Sequence, residues 1–320
     1  VSAVLSTSTS TPSPAPALEA PRSPRAERRL AWALVLPAIA IVAVGLGYPL
    51  ARQVIMSFQR FGLAQQFGQA PEMVGIANYA QVLVDPAFWA SLGRSVGFCL
   101  ACAAATVVIG TAGAMLLTQV RRSIAVGVQI VMLVAWAMPV LSSLQVFQLL
   151  FDPRSGVVGW TLGLLGADGM VGYNWLSDPV TFFVVAGLLI TWMSVPLVVF
   201  MVYASVTQLD ESMMEAAQLD GADARQRFLH IVAPSVAPVL LLVSLLQVIW
   251  DLRVFTQIHI LQQSSGITDQ TNVLGTFVYQ IGLSGGNYGV ASAAAMIMLA
   301  VSLLLTWRYI RALLTEGDAR

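Results

Sequence analysis

Six stretches of the chain, 30–50, 95–118, 124–150, 181–206, 236–258 and 290–310, are apolar almost throughout. Each reaches the ~20 residues that a helix rising ~1.5 Å per residue needs to cross a ~30 Å hydrocarbon core. The charge left over is too small to solvate such surfaces: 57% of residues are hydrophobic and 10% charged, where soluble domains carry about 25% charged residues. Mean hydropathy is +0.77. The expected class is an all-α polytopic membrane protein with six transmembrane helices. Pro37, Pro139 and Pro196 fall inside spans, which membrane helices tolerate where neighbours satisfy the freed carbonyls. Small residues crowd the second span (Ala101, Ala103, Ala104, Ala105, Gly110, Ala112, Gly113) and the last (Ala291, Ala293, Ala294, Ala295). They suit close helix packing.

Several kinds of chemistry are excluded by what the chain lacks. All sixteen basic residues are Arg. A Walker A loop needs a Lys to reach the nucleotide phosphates, so this chain is no standard P-loop ATPase, and any drive from ATP must come through a partner. The net charge is zero, which gives no footprint for nucleic acid. Cys99 and Cys102 sit at i and i+3 within an apolar span and read as small packing residues rather than a redox pair. His230 and His259 are far apart, so no metal site is expected. No nucleophile, base and orienting group come together, and the chain reads as a non-enzyme.

One polar segment, 208–235, carries a definite internal pattern. Asp210 is placed as an N-cap with Glu211 in the first turn, where the helix dipole favours an acid. Leu209 and Met214 have staple spacing. Gly221 is suited to the left-handed conformation that ends a helix. A second short helix is expected over 225–232, with Phe228 and Ile231 on one face, closed by Pro234 and Pro238 ahead of the next span.

Glu215, Ala216, Ala217, Gly221, Ile231 and Pro234 stand at the spacing of the EAA loop, and the segment resembles that loop of ABC-importer permeases. Asp220, Gly221, Ala222 and Phe228 match its longer form in sugar permeases. Ala233 departs from the usual leucine before the proline. Further similarity to the MalF-type half of sugar-importer permease pairs lies in VGIANYAQVLVDPAFWASLGRS (74–95), WDLRVFTQIHIL (250–261) and NYGVASAAAMI (287–297). The resemblance covers most of residues 30–310. It implies a type I ABC importer permease fold, with Glu215, Ala216, Ala217, Asp220, Gly221, Phe228, Ile231 and Pro234 coupling to an ATPase. It also implies a second permease subunit, nucleotide-binding ATPase subunits that hold ATP and Mg, and an extracytoplasmic solute-binding protein. The implied substrate is a carbohydrate and the implied location the plasma (inner) membrane.

Arginine placement orients the chain. Arg22, Arg25, Arg28, Arg29, Arg121, Arg122, Arg225, Arg227, Arg308 and Arg311 fall on one side, against Arg52, Arg60, Arg94 and Arg154 on the other. Both termini and the 208–235 segment are therefore expected in the cytoplasm, with outer loops at 51–94, 151–180 and 259–289. Residues 1–27, rich in Ser, Thr, Pro and Ala, read as a disordered cytoplasmic tail without the layout of a cleavable signal peptide. The permease domain is then 28–320.

A solute path should show polar groups at membrane depth, because a charge there costs at least ~2.5 kcal/mol. Asp251 and Arg253, near the outer end of the fifth span, are the clearest case, and at i and i+2 they do not face each other. Gln247, Trp250, Trp192, Trp136 and Tyr203 are candidate amide and aromatic groups for a sugar. The alternative solutes are glycerol phosphate or a peptide, but Arg52, Arg60 and Arg154 are too scattered to form a phosphate cluster. An ion-driven secondary transporter would need inverted repeats and midplane charges, and a non-transporting scaffold would leave the EAA segment unexplained.

Overall fold

The computed structural model describes residues 24–317. Residues 1–23 of the expected tail lie outside the described residues, and 24–27 belong to the first helix. The chain divides at Arg52/Gln53 into two units. The described part of the first holds α1 (Pro24–Val42), a π-helical turn at Ala43–Gly47 and the start of α2 (Tyr48–Ser57), whose residues from Gln53 onward belong to the second.

In the second unit the chain leaves α2 through a short antiparallel hairpin, β1 (Gln59–Arg60) with β2 (Glu72–Met73), around α3 (Leu63–Gln66). Then follow α4 (Ala77–Val84), α5 (Pro86–Gln119), α6 (Arg122–Trp136), α7 (Val140–Leu150), α8 (Val157–Leu164) and α9 (Pro179–Val206). After these come α10 (Glu211–Leu219), α11 (Ala224–Arg227), α12 (Ala233–Leu252), α13 (Thr256–Ser265), α14 (Thr268–Thr271), α15 (Leu274–Tyr279) and α16 (Tyr288–Gly317).

Among the described residues five helices are long and apolar enough to cross a membrane: Trp32–Ser57, Pro86–Gln119, Pro179–Val206, Ala224–Leu252 and Tyr288–Arg308. The third expected span is a correction. It is not one helix over 124–150 but two, α6 and α7, bent by 100° at a short break. Pro139 lies in that break with ψ 142°. It has no N–H to continue the ladder, and its ring pushes Met138 away from the α region. Pro37, Pro196 and Pro238, by contrast, stay inside continuous helices.

Both long helices at the centre of the bundle start on an Asp-Pro pair. Asp85 accepts a hydrogen bond from the N–H of Ala87 at 2.8 Å, and Asp178 from those of Val180 at 2.9 Å and Thr181 at 3.3 Å. Pro86 and Pro179 then occupy the first helical position, where a missing N–H costs nothing. α5 and α9 pack closely because glycines remove the side chains between them. A Cβ on Gly110 would lie 2.6 Å from Val198, and one on Gly113 3.1 Å from Val199. Ala114, Leu117, Ala125, Val198, Val199, Val202 and Val243 fill the core at this end, and Phe98, Leu144, Phe147, Phe182, Leu189, Ile258 and Leu261 fill it at the other.

The 59–61 segment, which contains β1, is held against the start of α16 by residues that the sequence shows only as a motif. The Asn78 amide donates to the carbonyls of Ser57 and Gln59, both at 2.9 Å, and the Tyr79 hydroxyl pairs with that of Ser57 at 2.7 Å. The N–H of Gly289 donates to Phe61 O at 2.8 Å, and a Cβ there would sit 2.3 Å from Gln59 O. The Asn-Tyr of 74–95 and the Asn-Tyr-Gly of 287–297 thus meet at one backbone junction.

The α5–α9 contact yields a stability test. Gly110→Ala should destabilise by about 1–3 kcal/mol, as overpacking does, and Val198→Ala in the same chain should restore much of the loss. Gly127, with nothing within 4 Å of its Cβ position, should accept Ala without loss. Thermal unfolding of the purified complex in one detergent reads both. Equal effects at the two glycines would show that close approach does not hold this pair.

Candidate functional site

The segment 208–235 forms two short helices, each closed at its start by a side chain. Asp210 accepts from the N–H of Ser212 at 2.9 Å and caps α10. That backbone bond holds its carboxyl below the usual carboxylate range. Any contribution of this cap is present above the unfolded pKa and is lost as pH falls through the depressed folded value. Leu209 and Met214 are both half-buried at the start of the helix.

α10 ends in a left-handed glycine. Gly221 has φ +82°, its N–H bonds Gln218 O at 3.1 Å, and the next N–H, from Ala222, reaches back to Ala217 O at 2.9 Å. This is the Schellman arrangement, which satisfies the last carbonyls of a helix. Asp223 then caps α11 reciprocally: its carboxylate takes the Gln226 N–H at 2.7 Å while Gln226 Oε1 takes the Asp223 N–H at 2.8 Å. The Asp-x-x-Gln spacing was readable in the sequence as a capping box.

The second helix does not close at Pro234, which corrects the expected boundary. α11 continues through a π-helical turn, Phe228–Val232, straight into α12, so that one helix runs from Ala224 to Leu252. A proline four residues after His230 would press its ring on that carbonyl in regular α geometry. The widened turn relieves this, and the Ser235 hydroxyl donates to Ile231 O at 2.6 Å.

Glu215, Ala216 and Asp220 are exposed, Ala217, Phe228 and Ile231 are half-buried, and Arg227 reaches Gln218 across the two helices at 3.4 Å. Met213 and Leu219 are apolar side chains left exposed on α10, Leu219 at 89%. Sequence reasoning passed over both. Their signal was the presence of large apolar residues on an otherwise polar projection.

At the far end of α12 lies a cavity of about 400 Å³. Trp250, Asp251 and Arg253 line it together with Trp136, Phe255 and Gln257. Asp251 is only 4% exposed, and its Oδ2 has no hydrogen-bond partner among the described residues. Arg253, at the C-cap of α12, is exposed and forms no ion pair among them. A buried carboxyl with an unpartnered oxygen is costly, which makes Asp251 the candidate for a functional rather than a structural group in this span.

Three expected path residues stand elsewhere, of which Tyr203 packs against the core that includes Ala114, Val199 and Val243. Gln247 is fully buried away from the cavity lining, with both amide atoms unpartnered, and Trp192 packs on Phe147 with ring centroids 5.8 Å apart. Periodicity placed Gln247 one turn from Asp251 but could not tell cavity from core. Cys99 and Cys102 are buried free thiols, with Cys99 Sγ 3.4 Å from Val248 O. No cluster of three metal-ligating side chains occurs among the described residues.

A bundle of apolar helices with an unpartnered carboxylate facing a cavity, and a doubly capped projection at the other end of the same helix, defines a membrane transport subunit. The chain belongs to the family described as binding-protein-dependent transport system inner membrane component, whose model matches residues 106–311. It is a multi-pass inner-membrane protein. It is 34% identical over 285 residues to the diacetylchitobiose uptake system permease protein DasB of Streptomyces coelicolor, covering 89% of this chain and 87% of that protein. It is 27% identical to the trehalose/maltose transport system permease protein MalF of Thermococcus litoralis, covering 89% and 94%. A chain of a bacterial ABC transporter that imports alginate matches with a TM-score of 0.77 at 20% identity, over 90% of this chain and 96% of that one, which shows the shared fold.

If the Asp251 carboxylate serves solute passage, function and stability should move in opposite directions. Asp251→Ala should lower uptake at least tenfold while the thermal midpoint of the complex stays level or rises, because an unpaired buried polar group has been removed. A fall in midpoint with normal uptake would make Asp251 a structural residue.

Proposed function

We propose that this chain is one permease subunit of an ATP-driven importer and forms part of the translocation path for a carbohydrate. It pairs with a second permease subunit and receives solute from an external binding protein. ATP and Mg are bound by separate ATPase subunits, which engage Glu215, Ala216, Ala217, Asp220, Gly221, Phe228, Ile231 and Pro234. The observation that carries the reading is the single helix Ala224–Leu252, with the capped projection at its start and Asp251 at its end. The sugar permeases among the relatives support the substrate class. The cavity chemistry agrees with it. Two indoles, a carboxylate, a guanidinium and an amide suit apolar ring faces and hydroxyls. Arg253 is the one basic residue in the cavity lining, which is poor provision for a phosphate ester.

The test is ATP-dependent accumulation of labelled diacetylchitobiose, trehalose and maltose in vesicles that hold the whole complex and its binding protein. Accumulation of none of these, with uptake driven by an ion gradient instead, would sink the reading.

The coupling role makes its own demand. Gly221→Val places a β-branched residue at φ +82°, where strain is about 1 kcal/mol or more. It reorients α10 without touching a span. Glu215→Lys reverses an exposed charge on α10. Both should leave membrane insertion intact, yet either weaken co-purification with the ATPase subunit or detach hydrolysis from uptake. Wild-type behaviour in both assays would remove the segment from the coupling path.

Both termini and this segment lie in the cytoplasm on the arginine bias. A single cysteine at Gln226, in a background with Cys99 and Cys102 replaced, should resist an impermeant maleimide added outside intact cells and react after permeabilisation. Labelling from outside would invert the topology.

A further inference from the structure

The segment between α7 and α9 encloses a second cavity, of about 250 Å³, which neither the coupling segment nor the Asp251 cavity involves. It is built from one continuous stretch, Asp152 to Trp175. Its frame is tight. Gly156 sits so that a Cβ would lie 2.3 Å from Asp152 O, Gly159 would clash with Met170 O at 2.8 Å, and Gly163 with Val171 at 2.4 Å. Helix α8 therefore lies flush on the turn at 168–172. Asp152 fixes the other wall. Its Oδ1 accepts from the N–H of Arg154 at 2.9 Å, and from the N–H of Ser155 at 2.8 Å and its hydroxyl at 2.9 Å. Those bonds, the Ser155 N–H first, keep the carboxyl ionised below its ordinary range.

The lining is an aromatic corner with unused polar tips. Tyr173 and Trp175 meet edge to face at 5.3 Å, and Trp175 is backed by buried Phe151 at 5.5 Å. Trp160 on α8, 62% exposed, faces the same cavity. The Arg154 guanidinium, the Tyr173 hydroxyl and the indole N–H groups of Trp160 and Trp175 donate to no described residue. A preformed space with apolar ring faces, free donors and a fixed anion matches what one pyranose ring offers: C–H faces on either side and a rim of hydroxyls that donate and accept.

We propose that the Asp152–Trp175 loop is a second saccharide site that holds one sugar ring outside the membrane-spanning helices, through Trp160, Tyr173, Trp175, Arg154 and the free oxygen of Asp152. The proposal rests on the carbohydrate reading above. On the arginine-derived orientation this loop faces outward, so the site meets sugar before the Asp251 cavity does. Its few contacts make it a weak site that gathers or hands on solute.

The experiment uses the whole complex in nanodiscs without the solute-binding protein, with diacetylchitobiose, trehalose and maltose as probes read by saturation-transfer NMR. At least one probe should bind in the millimolar range. Arg154→Gln and Trp160→Ala should each cut its signal fivefold or more, and Gly127→Ala, which has open space at its Cβ position, should leave it unchanged. Arg154 is exposed, so its variant guards against misfolding of the Trp160 variant. Parallel vesicle uptake with the binding protein present separates the two readings. Sugar uptake with no probe binding, or binding indifferent to Arg154 and Trp160, overturns the loop site while the carbohydrate reading stands. Failure of sugar uptake altogether overturns that reading and the loop site with it. Reduced uptake in the loop variants without any loss of probe binding makes the loop a protein-docking element and also overturns the proposal.

Discussion

Within a bilayer every backbone N–H and C=O must find its partner inside the protein, and the rest of this structure follows from that requirement. The apolar runs satisfy it as helices, which leaves the helix ends as the places where the chain must provide for itself. It does so with a narrow set of devices. Asp85, Asp178, Asp210 and Asp223 each accept a helix-start N–H, and Gly221 turns the chain at the end of α10. The candidate functional groups gather at these ends. The proposed coupling surface stands on the capped pair α10 and α11, Asp251 occupies the last turn of α12, and the loop cavity lies between the end of α7 and the Asp178 cap of α9.

What was legible in the sequence corresponds to local rules. A span is a sum over some twenty residues, so α5, α9, α12 and α16 were found from composition alone. The Asp210 cap and the left-handed Gly221 depend on neighbours within four positions and could be read as such. The break at Pro139 was visible as a residue but not as a 100° bend, because Pro196 and Pro238 carry the same chemistry inside continuous helices. What differs is whether the surrounding packing holds the chain straight, and that is not local. The hairpin at 59–73 escaped for a related reason. Two-residue strands have no periodicity to detect, and the segment around them is held by Asn78, which donates to Ser57 O and Gln59 O, and by the distant Gly289, which donates to Phe61 O.

The residues expected to line a path divide along the same line. Asp251 announced itself by charge, which is conspicuous at membrane depth wherever it points. Gln247 and Trp192 had the right chemistry, but their direction depends on how α12 and α9 are rotated within the bundle. Both turn to other surroundings, Gln247 into the interior and Trp192 onto Phe147. The Asp152–Trp175 corner was invisible for the opposite reason: aromatic residues in a loop carry no periodic signal, and like the large apolar Met213 and Leu219 on α10 they acquire meaning only when exposure and proximity are known.

The continuity of α11 with α12 changes how the proposed coupling would work. Had the helix closed at Pro234, the coupling segment would hang on a flexible joint and its motion would dissipate there. Instead, twenty-nine residues from Ala224 to Leu252 form one rod, roughly 43 Å long at ~1.5 Å per residue. The π-helical turn at Phe228–Val232 places a softened, kink-prone turn beside the projection, and Pro238 removes one further hydrogen bond from the ladder inside α12. Beyond it the rod packs on α5 and α9 through Val236 and Val243, both buried. A tilt imposed on α10 and α11 would bend this softened turn first. Only a displacement large enough to move the packed helix as a body would reach Asp251. A threshold of that kind suits the proposed importer, whose cavity would open only under a large displacement of the projection and stay shut under smaller thermal fluctuations of an exposed loop.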